Sequence, residues 1–327
     1  MNGEKYIENK ANGNIKRTID NIIREDQREV VKKFNTYLAA QGIMIKTREN
    51  YICKIKMFLN KVDKDLREIT FDDYVSYMSQ NLDKSSSYQI QIYTALRNFA
   101  DYLCIAGITK KNNMEGVKRP KARESIETKE KRDHNYLNQD ELEKFLLNVK
   151  MGTSKYERKE DNSVRDYFLF QLMLNTGLRK SAVIKLDISN IDMESKALKV
   201  VEKRGKIRTC FLSDPLIKLL NEWLEVRQRE YHPEDNALFV TRKGTRITER
   251  GVDKLVAKYG SGIKNFKLTP HKLRATYGTM IYEKTGDIYL TQQCMGHSNV
   301  QTTMLYVRGQ EEKAQKKAAE IMSSLTF

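Results

Sequence analysis

Apolar residues recur at helical spacing through the first third of the chain, and this pattern predicts an all-helical N-terminal domain. Four segments carry the pattern: residues 30–38, 51–59, 71–78 and 92–103. The last segment is followed by Gly107, and glycine commonly ends helices in the left-handed conformation. Because the residues before Arg28 are mostly polar, we predict an N-terminal extension over residues 1–27 and a helical domain over residues 28–117.

Residues 118–133 differ in composition from the segments on either side. Their sequence, KRPKARESIETKEKRD, is rich in charge and has almost no large apolar residue, so it cannot bury itself. We predict a basic linker here, followed by a second domain over residues 134–327. The linker is either a solvated tether or a direct contact to phosphate groups.

The second domain is also predicted to begin with helices. Asn138 and Glu141 have the spacing of a capping box at a helix start. Ser163 is placed to cap a strongly apolar helix that runs through residues 167–174 and ends at Gly177.

The pattern then changes from helical to strand-like. Residues 197–212, ALKVVEKRGKIRTCFL, are rich in β-branched residues around an Arg-Gly pair, and they predict a hairpin with Lys203 and Lys206 beside its turn. A second hairpin is predicted around Gly244. The predicted fold class is therefore mainly α, with a small antiparallel β component in the C-terminal domain.

The balance of charged residues indicates which kind of partner the protein binds. The 327 residues include 59 Lys and Arg against 43 Asp and Glu, which gives a formal net charge of +16. Such an excess favours a polyanionic partner, most commonly nucleic acid. No apolar run is long enough to span a membrane and no signal peptide is evident, so we expect a cytoplasmic protein without a membrane partner. The four cysteines lack the paired spacing of zinc sites, so we expect no metal.

A histidine and an arginine are predicted to project together from the start of one helix. Thr269 and Pro270 have the pattern of a helix start, which places His271 and Arg274 one turn apart on the same face. Upstream, Arg179 follows the corner after the buried apolar helix, where a charged side chain would have a rigid support.

A second histidine is predicted in the turn after the next helix. Asp287 is placed to cap that helix and Gly296 to end it, with His297 in the turn. Ser298 then begins a capping box for a last helix, which carries Tyr306.

Three segments resemble the tyrosine recombinase (phage integrase) family: TGLRKS at 176–181, HKLRATYGT at 271–279 and MGHSNVQTTMLYV at 295–307. The resemblance extends over nearly the whole chain. It implies a two-domain DNA clamp, made of a helical core-binding domain and a tyrosine recombinase catalytic domain, that assembles into a tetrameric synaptic complex on double-stranded DNA. The implied catalytic residues are Arg179, Lys203, His271, Arg274, His297 and the nucleophile Tyr306.

Three positions depart from the usual family pattern. Ala182 stands where the family commonly has an acid three residues after the first arginine, and Ala275 replaces a histidine that often follows the second arginine. Asn113 and Met114 stand where an Asn-Pro pair often ends the first domain. We therefore expect any orientation of the site by a carboxylate at position 182 to be missing.

The chemistry of these residue types suits strand cleavage through a 3′-phosphotyrosyl intermediate. Arg179 and Arg274 can hold the oxygens of a phosphorane-like transition state, on which negative charge accumulates. His271 can assist removal of the tyrosine proton, with His297 in support, and Lys203 can supply the proton that the 5′ oxygen needs as it leaves. The covalent link stores the phosphodiester energy, so no cofactor, metal or ATP is expected.

The sequence predicts a site-specific recombinase that serves either the integration and excision of a mobile element or the resolution of replicon dimers. Two alternatives are a type IB topoisomerase, which shares the tyrosine chemistry but needs no second site, and a DNA-binding protein of the same fold with little turnover. Accessory DNA-bending proteins are compatible with the recombinase.

An apolar stripe follows the tyrosine near the end of the sequence. Its residues are Ala314, Ala318, Ile321, Met322 and Leu325. At helical spacing they form one face, which the family docks into a neighbouring protomer. The alternative is that this helix folds back on its own domain.

Overall fold

The computed structural model describes residues 3–121, 135–152, 159–201, 205, 207–233, 236–264, 267–297, 299–304, 319–320 and 322–323. The chain divides into two compact units, Glu4–Ser125 on one side and Ile126–Phe327 with Met1–Gly3 on the other. Among the described helices there is none with the length and apolarity needed to cross a membrane.

The N-terminal unit is made of helices around one apolar core. The helices are α1 (Gly3–Asp20), α2 (Glu25–Ala40), α3 (Ile45–Val62), α4 (Phe71–Ser79) and α5 (Ser86–Ile105). Aromatic pairs stabilise this core, with ring centroids 5.2 Å apart for Phe34 and Phe99 and 4.8 Å apart for Phe58 and Tyr74. The four helices that the sequence predicts are confirmed as α2 to α5, and Gly107 follows the last of them with a φ of 70°.

Helix α1 was not predicted. We expected a polar extension before Arg28, whereas residues 3–20 form a helix whose Ile15 and Ile19, together with Ile22 just beyond it, are buried in the N-terminal core. The three isoleucines recur at helical spacing, but they stand among Lys, Asn and Glu residues. The narrowness of this apolar stripe explains why the segment looks like an extension in sequence.

The C-terminal unit combines helices with a small sheet. The helices are α6 (Gln139–Met151), α7 (Lys159–Thr176), α8 (Lys180–Val183), α9 (Asp214–Tyr231), α10 (Glu249–Tyr259), α11 (Pro270–Thr285), α12 (Ile288–Met295) and α13 (Val300–Met304). The strands are β1 (Ile191–Asp192), β2 (Ala197–Val201) and β3 (Ile207–Phe211), in the antiparallel order β1-β2-β3. The predicted fold class, mainly α with a small antiparallel sheet, is confirmed.

The helix starts of this unit follow local side-chain chemistry. The Asn138 side chain accepts a hydrogen bond from the Glu141 amide, and the Glu141 carboxylate accepts one from the Asn138 amide, both at 2.9 Å, so the predicted capping box is confirmed. The cap predicted at Ser163 is wrong, because α7 already begins at Lys159. Polar residues extend the helix before its apolar part, so the first apolar residue does not mark its start.

The predicted hairpin over residues 197–212 is confirmed as β2 and β3, with Ala197 paired to Phe211 at its open end and Val201 paired to Ile207 next to its turn. The second predicted hairpin is reduced to a turn. Gly244 has a φ of 75°, and Val240 and Arg246 form a single antiparallel bridge without flanking strands in this described segment. Too few residues alternate there for a regular strand pair.

Candidate active site

Arg179 lies at a corner that other parts of the domain hold tightly. Gly177 ends α7 with a φ of 60°, and Arg179 is the residue from which α8 begins. A Cβ atom on Gly177 would overlap the ring of Tyr277, so only glycine fits both the backbone conformation and the space. The fully buried Leu178 anchors the corner beneath Arg179.

His271 and Arg274 lie on the first turns of α11, as the sequence predicts. Arg274 is 1% exposed, and its guanidinium donates hydrogen bonds to the backbone carbonyls of Gly177 and Met295. Gly177 precedes the Arg179 corner, and Met295 is the last residue of α12. Arg274 therefore joins the Arg179 corner to the end of the helix that precedes His297.

His297 lies in the turn that Gly296 begins with a φ of 62°. Its backbone amide donates to the Gln292 carbonyl at 3.1 Å, and the Gln292 side-chain amide donates to the His297 carbonyl at 3.0 Å. The ring Nδ1 lies 3.0 Å from the hydroxyl of Thr303 on α13. Hydrogen bonds thus hold both the backbone of His297 and the Nδ1 nitrogen of its ring, although the sequence predicts only its place in a turn.

The helix caps around His297 are partly as predicted. Asp287 caps α12 by accepting hydrogen bonds from the amides of Tyr289 and Leu290 at 2.8 and 2.9 Å. Ser298, the predicted cap of α13, lies outside the described residues, and the Asn299 side chain accepts from the Gln301 amide at 2.8 Å.

Burial and nearby positive charge keep both histidines neutral at pH 7. Burial lowers the pKa of His271, and the charges of Arg274 and Arg179 lower it further. Burial lowers the pKa of His297 to about 4, with further contributions from Arg274, Arg179, His271 and Arg208. Arg179, His271 and Arg274 line one cavity, and the bond from Arg274 to the Met295 carbonyl brings the His297 turn next to them, so the four residues form one cluster.

A cavity of about 370 Å³ opens beside this cluster. Its lining residues are Arg179, Lys180, Ser181, Glu249, Asp253, Thr269, Pro270, His271 and Arg274. Two guanidiniums and a neutral imidazole among these lining residues can hold an anionic tetrahedral or bipyramidal group and exchange a proton with it.

A carboxylate pair on α10 supports the Arg179 corner. The Lys180 ammonium lies 2.8 Å from both carboxylate oxygens of Asp253 and 3.9 Å from Glu249. The Ala182 side chain, at the position where the resemblance leads one to expect an acid, is buried. Carboxylates therefore reach this corner from a helix that is distant in sequence, and no motif around Asp253 or Glu249 indicates this contact.

Two of the six predicted catalytic residues, Lys203 and Tyr306, lie outside the described residues, as does Lys206. Strand β2 ends at Val201, two residues before Lys203, and α13 ends at Met304, two residues before Tyr306. Within the described part of the chain, no group of three or more His, Cys, Asp or Glu side chains is arranged to hold a metal ion.

Comparison with known proteins identifies the family. Residues 135–313 match the phage integrase family, which is more than half of the chain. The chain belongs to this family. It is therefore a tyrosine recombinase, an enzyme of site-specific DNA recombination.

Similar proteins extend the match beyond residues 135–313. A tyrosine recombinase XerC from Histophilus somni is 31% identical over 215 residues, which cover 65% of this chain and 67% of that protein. A tyrosine recombinase XerC from Vibrio parahaemolyticus is 27% identical over 292 residues, which cover 84% of this chain and 87% of that protein.

Solved structures of other proteins share this fold, at lower sequence identity than the two XerC proteins. The site-specific recombinase XerH, bound to a palindromic difH substrate in a post-cleavage complex, has a TM-score of 0.65 and 23% identity, covering 84% of this chain and 79% of that one. A lambda integrase dimer bound to a COC′ core site has a TM-score of 0.64 and 17% identity, covering 86% and 94%. At these identities the comparison supports the shared fold.

Proposed function

We propose that this recombinase cleaves double-stranded DNA at specific sites through Tyr306, which becomes linked to the 3′ phosphate of the broken strand. The observation that carries the proposal is the cluster of two guanidiniums and two neutral imidazoles in the C-terminal unit. Arg179, His271 and Arg274 line one cavity, and His297 is coupled electrostatically to all three.

The arginines have the role of stabilising charge. In the cleavage step the tyrosine oxygen attacks phosphorus, the bond to the 5′ oxygen breaks, and negative charge builds on the nonbridging oxygens between these events. Arg179 and Arg274 approach the cavity from separate elements, so together they can bind more than one of those oxygens. Because Arg274 is held by two backbone carbonyls, its position is fixed before DNA arrives.

The proton transfers use the neutral histidine and the hairpin lysine. An imidazole with a lowered pKa is free of its proton at pH 7, so His271 can accept the proton of the attacking phenol. Lys203 gives a proton to the departing 5′ oxygen, which leaves as a hydroxyl. His297 donates a hydrogen bond to the phosphoryl group. Rejoining runs the same steps in reverse, with a 5′ hydroxyl as the nucleophile.

The two units are proposed to close as a clamp around the DNA, with the basic segment over residues 118–133 between them. A net charge of +16 supports this partner, and the similar XerH and lambda integrase structures contain DNA substrates.

We further propose a tetrameric synaptic complex, with contacts through the segment after Tyr306. The cellular role is integration and excision of a mobile element or resolution of replicon dimers, in the cytoplasm where the DNA lies.

Covalent trapping on nicked DNA tests the proposal. The variant Tyr306→Phe should bind a half-site with normal affinity and form no adduct that survives denaturation. A matched control is Tyr277→Phe, because Tyr277 packs on the Arg179 corner and also loses only a hydroxyl. An adduct in Tyr306→Phe that disappears in Tyr277→Phe would move the nucleophile to Tyr277. Dependence of the products on two paired sites excludes a topoisomerase.

A further inference from the structure

Arg208 connects the hairpin to two helix ends of the catalytic domain. It lies on β3 opposite Val200 of β2 and is half-buried. One terminal nitrogen of its guanidinium, Nη1, donates to the Cys294 carbonyl at 2.6 Å. The other, Nη2, donates to the Thr176 carbonyl at 3.0 Å. These carbonyls belong to the last turns of α12 and α7.

Arg208 and Arg274 donate hydrogen bonds to the ends of the same two helices. Arg274 donates to the carbonyls of Gly177 and Met295, and each of these is the residue that follows an Arg208 partner. The C-terminal end of each helix therefore receives two guanidinium donors, from different elements. Carbonyls at helix C-termini lack partners within the helix and carry partial negative charge, so this arrangement is favourable for both arginines.

Three segments that carry proposed catalytic residues meet at Arg208. Thr176 lies three residues before Arg179, and Cys294 lies three residues before His297. Arg208 itself lies five residues after Lys203 on the same hairpin. Arg208 lies on the hairpin, whereas Arg274 lies on α11, so of these two arginines only Arg208 joins the hairpin to these two helix ends.

We infer that Arg208 is a positioning residue: it fixes strand β3 to the helix ends beside the Arg179 corner and the His297 turn, and through the hairpin it sets the position of Lys203. The inference rests on the proposed role of Lys203 as the acid. In a variant without Arg208, Arg274 still joins the two helix ends, so the effect of its loss falls on the hairpin. A displacement of about 1 Å in a catalytic group can cost about 100-fold in rate.

The test measures single-turnover cleavage of a half-site with oxygen or sulfur at the bridging 5′ position. A thiolate leaves without needing a proton, so the sulfur substrate removes the requirement for a positioned acid. Arg208→Ala should cleave the oxygen substrate about 100-fold more slowly than the parent enzyme. On the sulfur substrate the difference between the variant and the parent enzyme should shrink by a factor of about ten or more. Half-site affinity should stay within about threefold, because a backbone-bound arginine is not a phosphate contact.

Two further variants make the result specific. Arg208→Lys keeps the charge but cannot hold two carbonyls in a fixed fork, so it should show a smaller loss with the same recovery on sulfur. This variant decides the question if Arg208→Ala does not fold. Thr209→Ala changes the exposed neighbour on the other face of β3 and should cleave both substrates at the parent rate.

The outcomes separate this inference from the proposed function. If sulfur restores Lys203→Ala but not Arg208→Ala or Arg208→Lys, Lys203 is the acid and Arg208 does not position it. If sulfur fails to restore Lys203→Ala, the acid assignment is wrong and the inference falls with it. Recovery of both Lys203→Ala and the Arg208 variants on sulfur supports both.

Discussion

His297 and Thr303 are joined by a buried hydrogen bond, with Nδ1 of the imidazole 3.0 Å from the threonine hydroxyl. Thr303 is fully buried on α13, three residues before Tyr306 in sequence. The bond ties the histidine turn to the helix that leads to the proposed nucleophile. The contact also holds the imidazole through its Nδ1 nitrogen.

Burial of a neutral His297 predicts a loss of stability in acid. The pKa of His297 is about 4 in the folded chain and about 6.5 in the unfolded chain, so between these pH values the unfolded chain binds the extra proton. The free energy of unfolding should therefore fall as the pH is lowered from about 6.5 to about 4, by roughly 2–3 kcal/mol from this residue. Denaturant unfolding at a series of pH values measures the loss.

The comparison variant for that measurement is His297→Gln, whose unfolding free energy should depend less on pH over the same interval. The exposed His232, which lies in the left-handed conformation that Asn tolerates, provides a second control as His232→Asn. Equal pH dependence in the parent protein and His297→Gln would show that His297 is not the group responsible.

The choice between Lys203 and Lys206 as the acid can be made with the sulfur-bridged substrate. We expect Lys203→Ala to cleave ordinary DNA at least about 100-fold more slowly and to recover on sulfur. Lys206→Ala should mainly lose affinity, as a phosphate contact does. Arg179→Ala should remain defective on sulfur, because charge on the nonbridging oxygens still develops. Recovery of Lys206→Ala instead would assign the proton to that lysine.

DNA binding should depend strongly on salt. A clamp that neutralises about 6–10 phosphates releases their counterions, and its affinity falls about 10³- to 10⁵-fold between 50 and 200 mM salt. Titrations of a labelled duplex at several salt concentrations measure the slope. A duplex of random sequence should give a similar slope at lower affinity, because counterion release from the phosphates does not depend on the base sequence. An affinity that stays constant over the range would contradict the clamp.

Truncation after Gly309 tests the assembly role of the tail. The described part of the tail, which includes Ala319, Glu320 and Met322, is helical and exposed. The truncated protein should bind one half-site normally but form no higher-order complex and no recombinant product. Mobility on native gels together with a recombination assay measures both. Normal assembly without residues 310–327 would contradict the assembly role of the tail.

Local chemistry made part of this structure predictable. The Asn138 and Glu141 capping box and the Asp287 cap depend on side chains two or three residues from their backbone partners, so the sequence contains the whole interaction. The start of the helix before Arg179 was misplaced at Ser163 because α7 extends into polar residues that show no apolar period.

The supports of the site could not be predicted in the same way. Lys180 and Asp253 are 73 residues apart, and no pattern in either segment indicates the pairing. The partners of Arg208 and Arg274 are backbone carbonyls, which every residue possesses, so the sequence carries no signature of those bonds. The catalytic residue types were recognisable from the motifs around them, whereas the contacts that hold them depend on the tertiary fold.

Helix α1 has a practical consequence for dissecting the protein. Ile15, Ile19 and Ile22 lie in the N-terminal core, and burying an isoleucine side chain contributes about 1.5–3 kcal/mol. Together that is comparable to the whole stability of many domains. The polar composition of residues 1–27 suggests Arg28 as the first residue of an expressed fragment. Such a fragment would lack all three isoleucines and would expose the apolar surface that they cover. A fragment intended to report on DNA recognition by this unit in isolation should therefore retain the helix from Gly3 onward.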